Sequence, residues 1–310
     1  MKYIVTGVDG QLSGKVAANM LQEVAGDQLI FTVPDLKILS VDKKELWEKK
    51  GVSIRQANYQ NKGEMIKAFE GGDRIFVVSG NTVGEERCQE HKNAVAAAKE
   101  AKVKHITYTS FINADKEDEN DFIAEDHTYT EKIIRESGMD WNIMRNNLYI
   151  ENYLLGYPKL VLSTGNKWRS NAGEGRATFI AKDDSARVAA ALLLGKGQNN
   201  MAYNVTGESI SEREICKLVA EKLRIDIEYV PLDDEAFIVW MESIGIPRDM
   251  SGDFSRAPIP WSGTVMATNK GSVKNNSKDV KADTVKNLTG RNPLTVRDLV
   301  NVYADTWVTA

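Results

Sequence analysis

Apolar residues in the first half of the chain follow two alternating patterns. The short, nearly continuous apolar runs are Tyr3–Val5, Leu29–Val33, Val52–Gln56, Arg74–Val78, His105–Thr109 and Trp141–Arg145. Continuous runs of this length read as strands buried on both faces, because a half-solvated strand would alternate apolar and polar residues. Between them apolar residues recur every three or four positions. Leu12, Val16, Met20 and Val24 keep that spacing, and Asp42–Lys50, Lys62–Glu70, Glu85–Ala101 and Asp121–Ser137 continue it, the last stopped by Gly138. Strands alternating with helices predict an α/β fold with a Rossmann-type, doubly wound parallel sheet covered on both faces.

After Arg145 the pattern loosens. Helical spacing returns at Asp183–Leu194 and Glu212–Leu223, among aromatic-rich and Gly-rich segments. Asp249–Asp279 is rich in Gly, Pro, Ser and Asn, lacks a clear period and carries Trp261 and Met266, so it reads as an irregular loop or lid. A chain of 310 residues exceeds the size at which one core usually stops growing. The expected division is a Rossmann domain over residues 1–150 and a smaller, mixed α/β C-terminal lobe with its lid over 151–310, interleaved with the first.

A net charge of −4 gives no attraction to polyphosphate, which argues against general nucleic-acid binding. Cys88 and Cys216 stand far apart, outside any CxxC or His-rich setting, so neither a disulfide framework nor a zinc site is expected. Buried or idle thiols are the plain reading. No run approaches the roughly 18 apolar residues of a membrane span. Met1–Gly7 enters a strand at once, with no signal peptide ahead of it, so a cytoplasmic protein is expected, as monomer or homo-oligomer.

The strongest local signal is Thr6-Gly7-Val8-Asp9-Gly10-Gln11-Leu12-Ser13-Gly14, set between the first strand and the first helix. In a dinucleotide loop, Gly7 permits the tight turn and Gly10 lets the backbone approach a pyrophosphate. The helix opening at Gln11 and Leu12 then turns its free N–H groups and positive dipole end to the phosphates. The loop from Gly7 through Asp9 to Leu12 is therefore a candidate cofactor site, against the alternative of a structural turn without a ligand. Ser79-Gly80-Asn81 and Thr109-Ser110-Phe111 end the fourth and fifth strands, at the sheet edge where open α/β folds bind ligands. The acidic run Asp115–Asp121 reads as a solvated loop near that edge.

These features, together with several further segments, resemble the NmrA-like, atypical short-chain dehydrogenase/reductase family. The likeness is to its branch of type-2 NAD(P)H:quinone oxidoreductases and triphenylmethane reductases, and it covers nearly the whole chain. The markers are Gly51-Val52-Ser53-Ile54-Arg55-Gln56-Ala57-Asn58-Tyr59, Val103 to Ser110, His127-x-x-x-Glu131, Met144-Arg145-Asn146-Asn147-Leu148-Tyr149-x-Glu151-Asn152 and Leu288-Thr289-Gly290-Arg291-Asn292-Pro293. Two departures bear on the cofactor. Ser13 stands where the family usually has a third glycine. Val33-Pro34-Asp35 replaces a segment that carries an arginine in NADPH-using relatives. An acidic Asp35 would repel a 2′-phosphate and accept from a ribose hydroxyl, which favours NADH, while Lys37 keeps NADPH open. Asp35 as an ordinary turn residue is the competing reading.

The resemblance implies a cofactor set that adds Asn58, Tyr59, His127, Asn147, Leu148 and Tyr149 to the loop and strand-end residues. It implies no metal. The usual Tyr-x-x-x-Lys pair is missing, since no tyrosine has a lysine four residues later. His127 and Tyr149 are the candidates for catalytic contact. His127 would hold the nicotinamide ribose or donate a proton, or else be a helix-surface histidine paired with Glu131 one turn on. Phe111, Tyr149, Tyr153, Trp168, Phe179, Trp240 and Trp261 could wall an aromatic substrate, each against the alternative of core packing. The expected activity is NAD(P)H-dependent hydride transfer to a small conjugated acceptor, a quinone, dye or flavonoid-like polyphenol. The alternative is a non-catalytic NAD(P)-binding redox sensor that binds a regulatory partner. Nucleotide-sugar epimerase or dehydratase chemistry is weakened by the missing Tyr-x-x-x-Lys.

Overall fold

The computed structural model describes residues 1–116, 122–259 and 261–308. Its strands are β1 (Tyr3–Val5), β2 (Leu29–Val33), β3 (Ser53–Gln56), β4 (Arg74–Val77), β5 (His105–Phe111), β6 (Asp140–Asn146), β7 (Lys167–Ser170), β8 (Arg176–Phe179), β9 (Met201–Val205), β10 (Glu208–Ser211) and β11 (Glu228–Pro231). The helices of the first half are α1 (Gln11–Glu23), α2 (Val41–Lys49), α3 (Lys62–Phe69), α4 (Glu85–Glu100) and α5 (Phe122–Arg135).

Two compact units divide the chain. The first comprises Met1–Asn146, Lys182–Val205 and Asp283–Asn292, and the second Asn147–Ala181, Thr206–Ala282 and Pro293–Ala310. In the first unit seven strands form a Rossmann-type sheet in the order β3-β2-β1-β4-β5-β6-β9, with every pairing parallel. Ile4 pairs in register with Ile30 and Ile75, and Ile75 with Ile106, so a row of β-branched residues crosses the sheet. That row packs with Met65 and Phe69 of α3, Ala94, Ala97 and Ala98 of α4, and Ile134 of α5. The alanines let α4 approach the sheet closely.

Helix α1 packs against the helix Lys182–Leu193. Lys15 bridges to Asp183 at 2.9 Å. Arg74 donates to the carbonyls of Leu193 (2.6 Å) and Leu192 (3.1 Å), satisfying acceptors that any helix leaves open at its C-terminus. Strand order reverses between β1 and β4. This is the switch point at whose carboxyl side such sheets bind ligands. The edge strand β9 has no continuous apolar run, and only Val205 of its five residues is buried, so it escapes a reading based on apolar stretches.

The second unit contains two small sheets, β10 antiparallel to β8 and β11 parallel to β7. Its helices Glu212–Leu223 and Val296–Tyr303 both open on capping boxes, Ser211 with Glu214 and Thr295 with Asp298. The expectation of an irregular segment over Asp249–Asp279 is corrected: Gly263–Lys274 is a helix, capped by Ser262, whose hydroxyl accepts from the Val265 N–H. It buries Gly263, Val265, Met266, Ala267, Lys270 and Val273. The helical period was masked because a glycine and a lysine occupy two of those buried positions. Among the described residues no helix is long and apolar enough to cross a membrane.

Candidate cofactor site and buried histidine network

The glycine loop lies at the switch point of the first unit. Gly7 has φ +63°, a conformation that costs a side-chain-bearing residue, and a Cβ there would meet Val78 Cγ1 at 3.0 Å. The Gly10 N–H closes the turn on the Gly7 carbonyl at 2.9 Å, and a Cβ on Gly10 would lie 3.3 Å from that same oxygen. Asp9, Gly10 and Gln11 are exposed, and Leu12 turns into the core. Gly10 caps α1 without a side chain, and no acidic residue sits in the first turn of α1. The first-turn N–H groups of α1 therefore lie at the positive end of the helix dipole, beside the exposed loop. Lys182 adds a cation there, its Nζ 2.6 Å from Gln11 Oε1. The donor set fits a dinucleotide diphosphate. Lys182 lies 171 residues from Gln11 in sequence, so only the folded chain brings it into view. Ser13 is buried with its hydroxyl unpartnered, and Gly14 beside it would place a Cβ 3.2 Å from the Val8 carbonyl.

The neighbouring strand ends are stitched by side-chain hydroxyls. Thr6 Oγ1 accepts the Val78 N–H at 3.1 Å and lies 2.7 Å from Tyr59 Oη, which donates to the Val78 carbonyl at 2.9 Å. Burial, opposed by the Thr6 hydrogen bond, raises the Tyr59 phenol above its ordinary range, so it remains a donor. Thr109 Oγ1 accepts the Ser79 N–H at 2.7 Å. Asn58 Oδ1 turns back onto the Gln60 N–H, while Asn81 is exposed. Asp35 caps the short turn after β2, its carboxylate accepting the Lys37 N–H at 2.9 Å. The turn role is thus present, and the residue is half-buried.

The pairing of His127 with Glu131 is corrected. His127 is buried at 5 % exposure, and its Nδ1 lies 2.7 Å from Tyr108 Oη. Phe111 packs near its ring, with centroids 6.0 Å apart. Glu131 instead takes a hydrogen bond from Ser110 Oγ (2.6 Å), two from Arg145 (2.9 and 2.7 Å) and one from Arg135 (2.6 Å). Burial pushes the Glu131 carboxyl up, but these donors outweigh it and hold the group below its ordinary range. The Arg–carboxylate fork pins α5 to the ends of β5 and β6, and Arg145 also bridges to Asp115 at 2.6 Å. The rest of the acidic run, Glu117 to Asp121, lies outside the described residues.

In the second unit Asn147 is committed to its own surroundings. Its amide donates to Thr178 Oγ1 and the Lys278 carbonyl, both at 2.7 Å, and its oxygen accepts the Leu148 N–H at 2.8 Å. Leu148 is buried and Tyr149 half-buried. Of the aromatic candidates, Tyr153 and Phe179 stack edge-to-face at 4.9 Å in the interior, and Trp168 is wholly buried against Tyr157. Trp240 and Trp261 are partly exposed. One constellation had no signal in the sequence. Lys270 and Glu212, both wholly buried, form an ion pair beneath the rings of Tyr153, Tyr157 and Phe237. Trp168 Nε1 and Ser170 Oγ also donate to Glu212.

A parallel sheet with a glycine loop at its switch point defines a Rossmann-type dinucleotide-binding protein. The chain belongs to the NmrA-like family, whose model matches residues 2–267. It is 28% identical over 248 residues to quinone oxidoreductase 2 of Escherichia coli (strain K12), covering 80% of this chain and 83% of that protein. Two solved structures share the fold. The NADPH-dependent quinone oxidoreductase of Escherichia coli complexed with NADPH has a TM-score of 0.86 at 24% identity, over 97% of this chain and 99% of that one. The triphenylmethane reductase of Citrobacter sp. complexed with NADP(H) has a TM-score of 0.83 at 24% identity, over 98% and 100%.

Proposed function

We propose that this protein is an NAD(P)H-dependent reductase of small conjugated acceptors, quinones first, with dyes and flavonoid-like polyphenols in the same class. The observation that carries the reading is the acid-free start of α1 at the switch point, with Lys182 beside it. Gly7 to Leu12 and Lys182 hold the diphosphate. Asp35 and Asn58 serve the adenosine end, and Ser79, Gly80, Asn81 and the Thr109–Phe111 strand end serve the nicotinamide end. The bound nicotinamide supplies a hydride, and the protein contributes binding and orientation. Without a Tyr-x-x-x-Lys pair, His127 is the donor nearest in kind to a catalytic acid. Tyr149, Trp240 and Trp261 are partly exposed aromatic rings of the second unit. The names of the similar proteins, a quinone oxidoreductase and a dye reductase, support the acceptor class. The two free cysteines are in keeping with a cytoplasmic setting.

Either nicotinamide cofactor fits the diphosphate site. Asp35 favours NADH, whereas the named complexes of similar proteins hold NADPH or NADP(H). Steady-state oxidation of NADH and NADPH against a panel of quinones, triphenylmethane dyes and flavonoids tests the proposal. Turnover with at least one quinone is expected. Tight cofactor binding with no turnover across the panel would replace the reductase with a redox sensor.

A further inference from the structure

The loop that follows β4, from Gly80 to Gly84, is fastened at three points by side chains of α4 and α5. At its start the Gly80 N–H donates to His91 Nε2 at 3.0 Å. Burial, reinforced by the charge of Arg87, pushes His91 down to about 3, so the ring is neutral near pH 7 and keeps the lone pair this bond needs. In the middle of the loop Thr82 Oγ1 donates to Glu90 Oε2 at 2.6 Å. At its end the Gly84 N–H donates to Asp126 Oδ2 at 2.8 Å, and the buried Arg87 pairs with the same oxygen at 3.5 Å. His91, Glu90 and Asp126 are all buried.

Two glycines make this fit possible. A Cβ on Gly80 would lie 2.8 Å from Glu90 Oε2, so the backbone rests directly against α4. Gly84, the N-cap of α4, has φ +67° and ψ −141°, a conformation that strains any residue with a side chain. Gly84 has no side chain to cap α4, and Asp126 supplies a carboxylate from the neighbouring helix instead. The same bonds set the polarity of the strand end. The Ser79 N–H is taken by Thr109 Oγ1 at 2.7 Å and the Gly80 N–H by His91. The backbone of these two residues therefore meets a ligand through carbonyl acceptors. Acceptors suit ribose hydroxyls or a carboxamide NH2 and repel a phosphate, the opposite of the N–H groups that open α1.

We propose, on the reading that this strand end serves the nicotinamide, that His91, Glu90 and Asp126 are positioning residues that hold the Gly80–Gly84 loop in the shape that receives the nicotinamide half of the cofactor. Each acts through the loop backbone, not on the reacting atoms.

Calorimetric titration of the full chain with NADH, NADPH and ADP tests this, because ADP lacks the nicotinamide half. Hydrogen exchange of a peptide covering residues 79–84 reports the loop itself. In His91→Leu and Asp126→Ala that peptide should exchange faster. Affinity for whichever dinucleotide the wild type prefers should fall roughly five- to tenfold, the scale of one net hydrogen bond. ADP affinity should change less than about twofold. His91→Gln and Asp126→Asn keep an acceptor for the loop N–H and should recover most of the loss. Should His91→Leu fail to fold, Glu90→Ala, which frees the Thr82 hydroxyl, must show the same split between dinucleotide and ADP. Equal losses for ADP and the dinucleotide, or a fast-exchanging loop with unchanged dinucleotide affinity in a folded variant, would overturn the inference. Wild-type protein that binds ADP but neither dinucleotide would sink the cofactor reading beneath it. The expected split in a protein that turns over no acceptor would count against the reductase reading alone.

Discussion

Asp35 has an observed backbone duty and a proposed ligand duty, and the two are separable. Its carboxylate accepts the Lys37 N–H and so closes the turn after β2. The charge remains when that bond is made, and at this edge of the sheet it would sit near the adenosine ribose. Serine is as good a cap as aspartate and carries no charge. Asp35→Ser should therefore keep the fold and tighten NADPH roughly five- to tenfold, about 1 kcal/mol for one like-charge contact near the surface. NADH affinity should stay level or weaken. Titration of both cofactors by protein fluorescence would check it, and a variant whose NADPH affinity does not change would remove Asp35 from cofactor choice. His127 teaches a related lesson. Its spacing to Glu131 suggested a surface pair, but spacing along a helix says nothing about which face is buried. Arg145, on a strand, captures Glu131, and Tyr108, on the neighbouring strand, reaches His127.

At the scale of elements, α1 begins at the proposed diphosphate site, and the test of that role is steric. Gly10→Val puts a branched side chain into a loop where even a Cβ lies 3.3 Å from the Gly7 oxygen. Nicotinamide cofactor binding should be lost while circular dichroism and thermal unfolding stay close to wild type. A folded variant with unchanged affinity would reduce the loop to a turn. The elements of the first unit were legible from the chain because β1, β2, β4, β5 and β6 are buried on both faces and read as apolar runs. The second unit was less so, because its strands are short and its helix Gly263–Lys274 buries a lysine. A buried Lys270 is tolerable only because Glu212 is beside it. Desolvation lowers the Lys270 ammonium from its ordinary range, and the Glu212 carboxylate opposes that shift. Glu212→Gln strands the cation and should cost about 3–5 kcal/mol, the scale for breaking one side of a buried pair. Lys270→Met combined with Glu212→Gln should recover much of that loss, which urea unfolding of the single and double variants would measure. A single variant as stable as wild type would mean that water reaches the pair.

At the scale of the whole molecule, buried neutral histidines couple the fold to acid. Burial, then the charge of Arg87, pushes His91 down to about 3, and burial with the nearby Arg74 pushes His105 down to about 4. Both rings are essentially inaccessible, and His105 Nδ1 has no hydrogen-bond partner. In the unfolded chain each histidine takes up its proton near pH 6.5, while in the folded chain it stays neutral to well below that. Below pH 6.5 the unfolded state thus binds more protons, so the stability contributed by each neutral ring is complete above that pH and drains away as the pH falls toward 4 for His105 and 3 for His91. The loss approaches about 1.4 kcal/mol per pH unit for each ring. Glu131 acts in the same direction in a lower window, because a carboxyl held below its ordinary range loses its contribution only as the pH falls beneath about 4.3. Unfolding free energies between pH 7 and 5 should therefore report the histidines rather than Glu131. Stability should be nearly flat above pH 7 and fall steeply below 6.5. His105→Gln keeps a donor for Asn142 and removes the titrating ring, so its acid slope should be shallower than wild type by about 1.4 kcal/mol per pH unit. Denaturant melts of the two proteins at half-unit pH steps would measure this. Equal slopes would mean that His105 is already protonated in the folded protein, and the buried, half-partnered ring would need a different account.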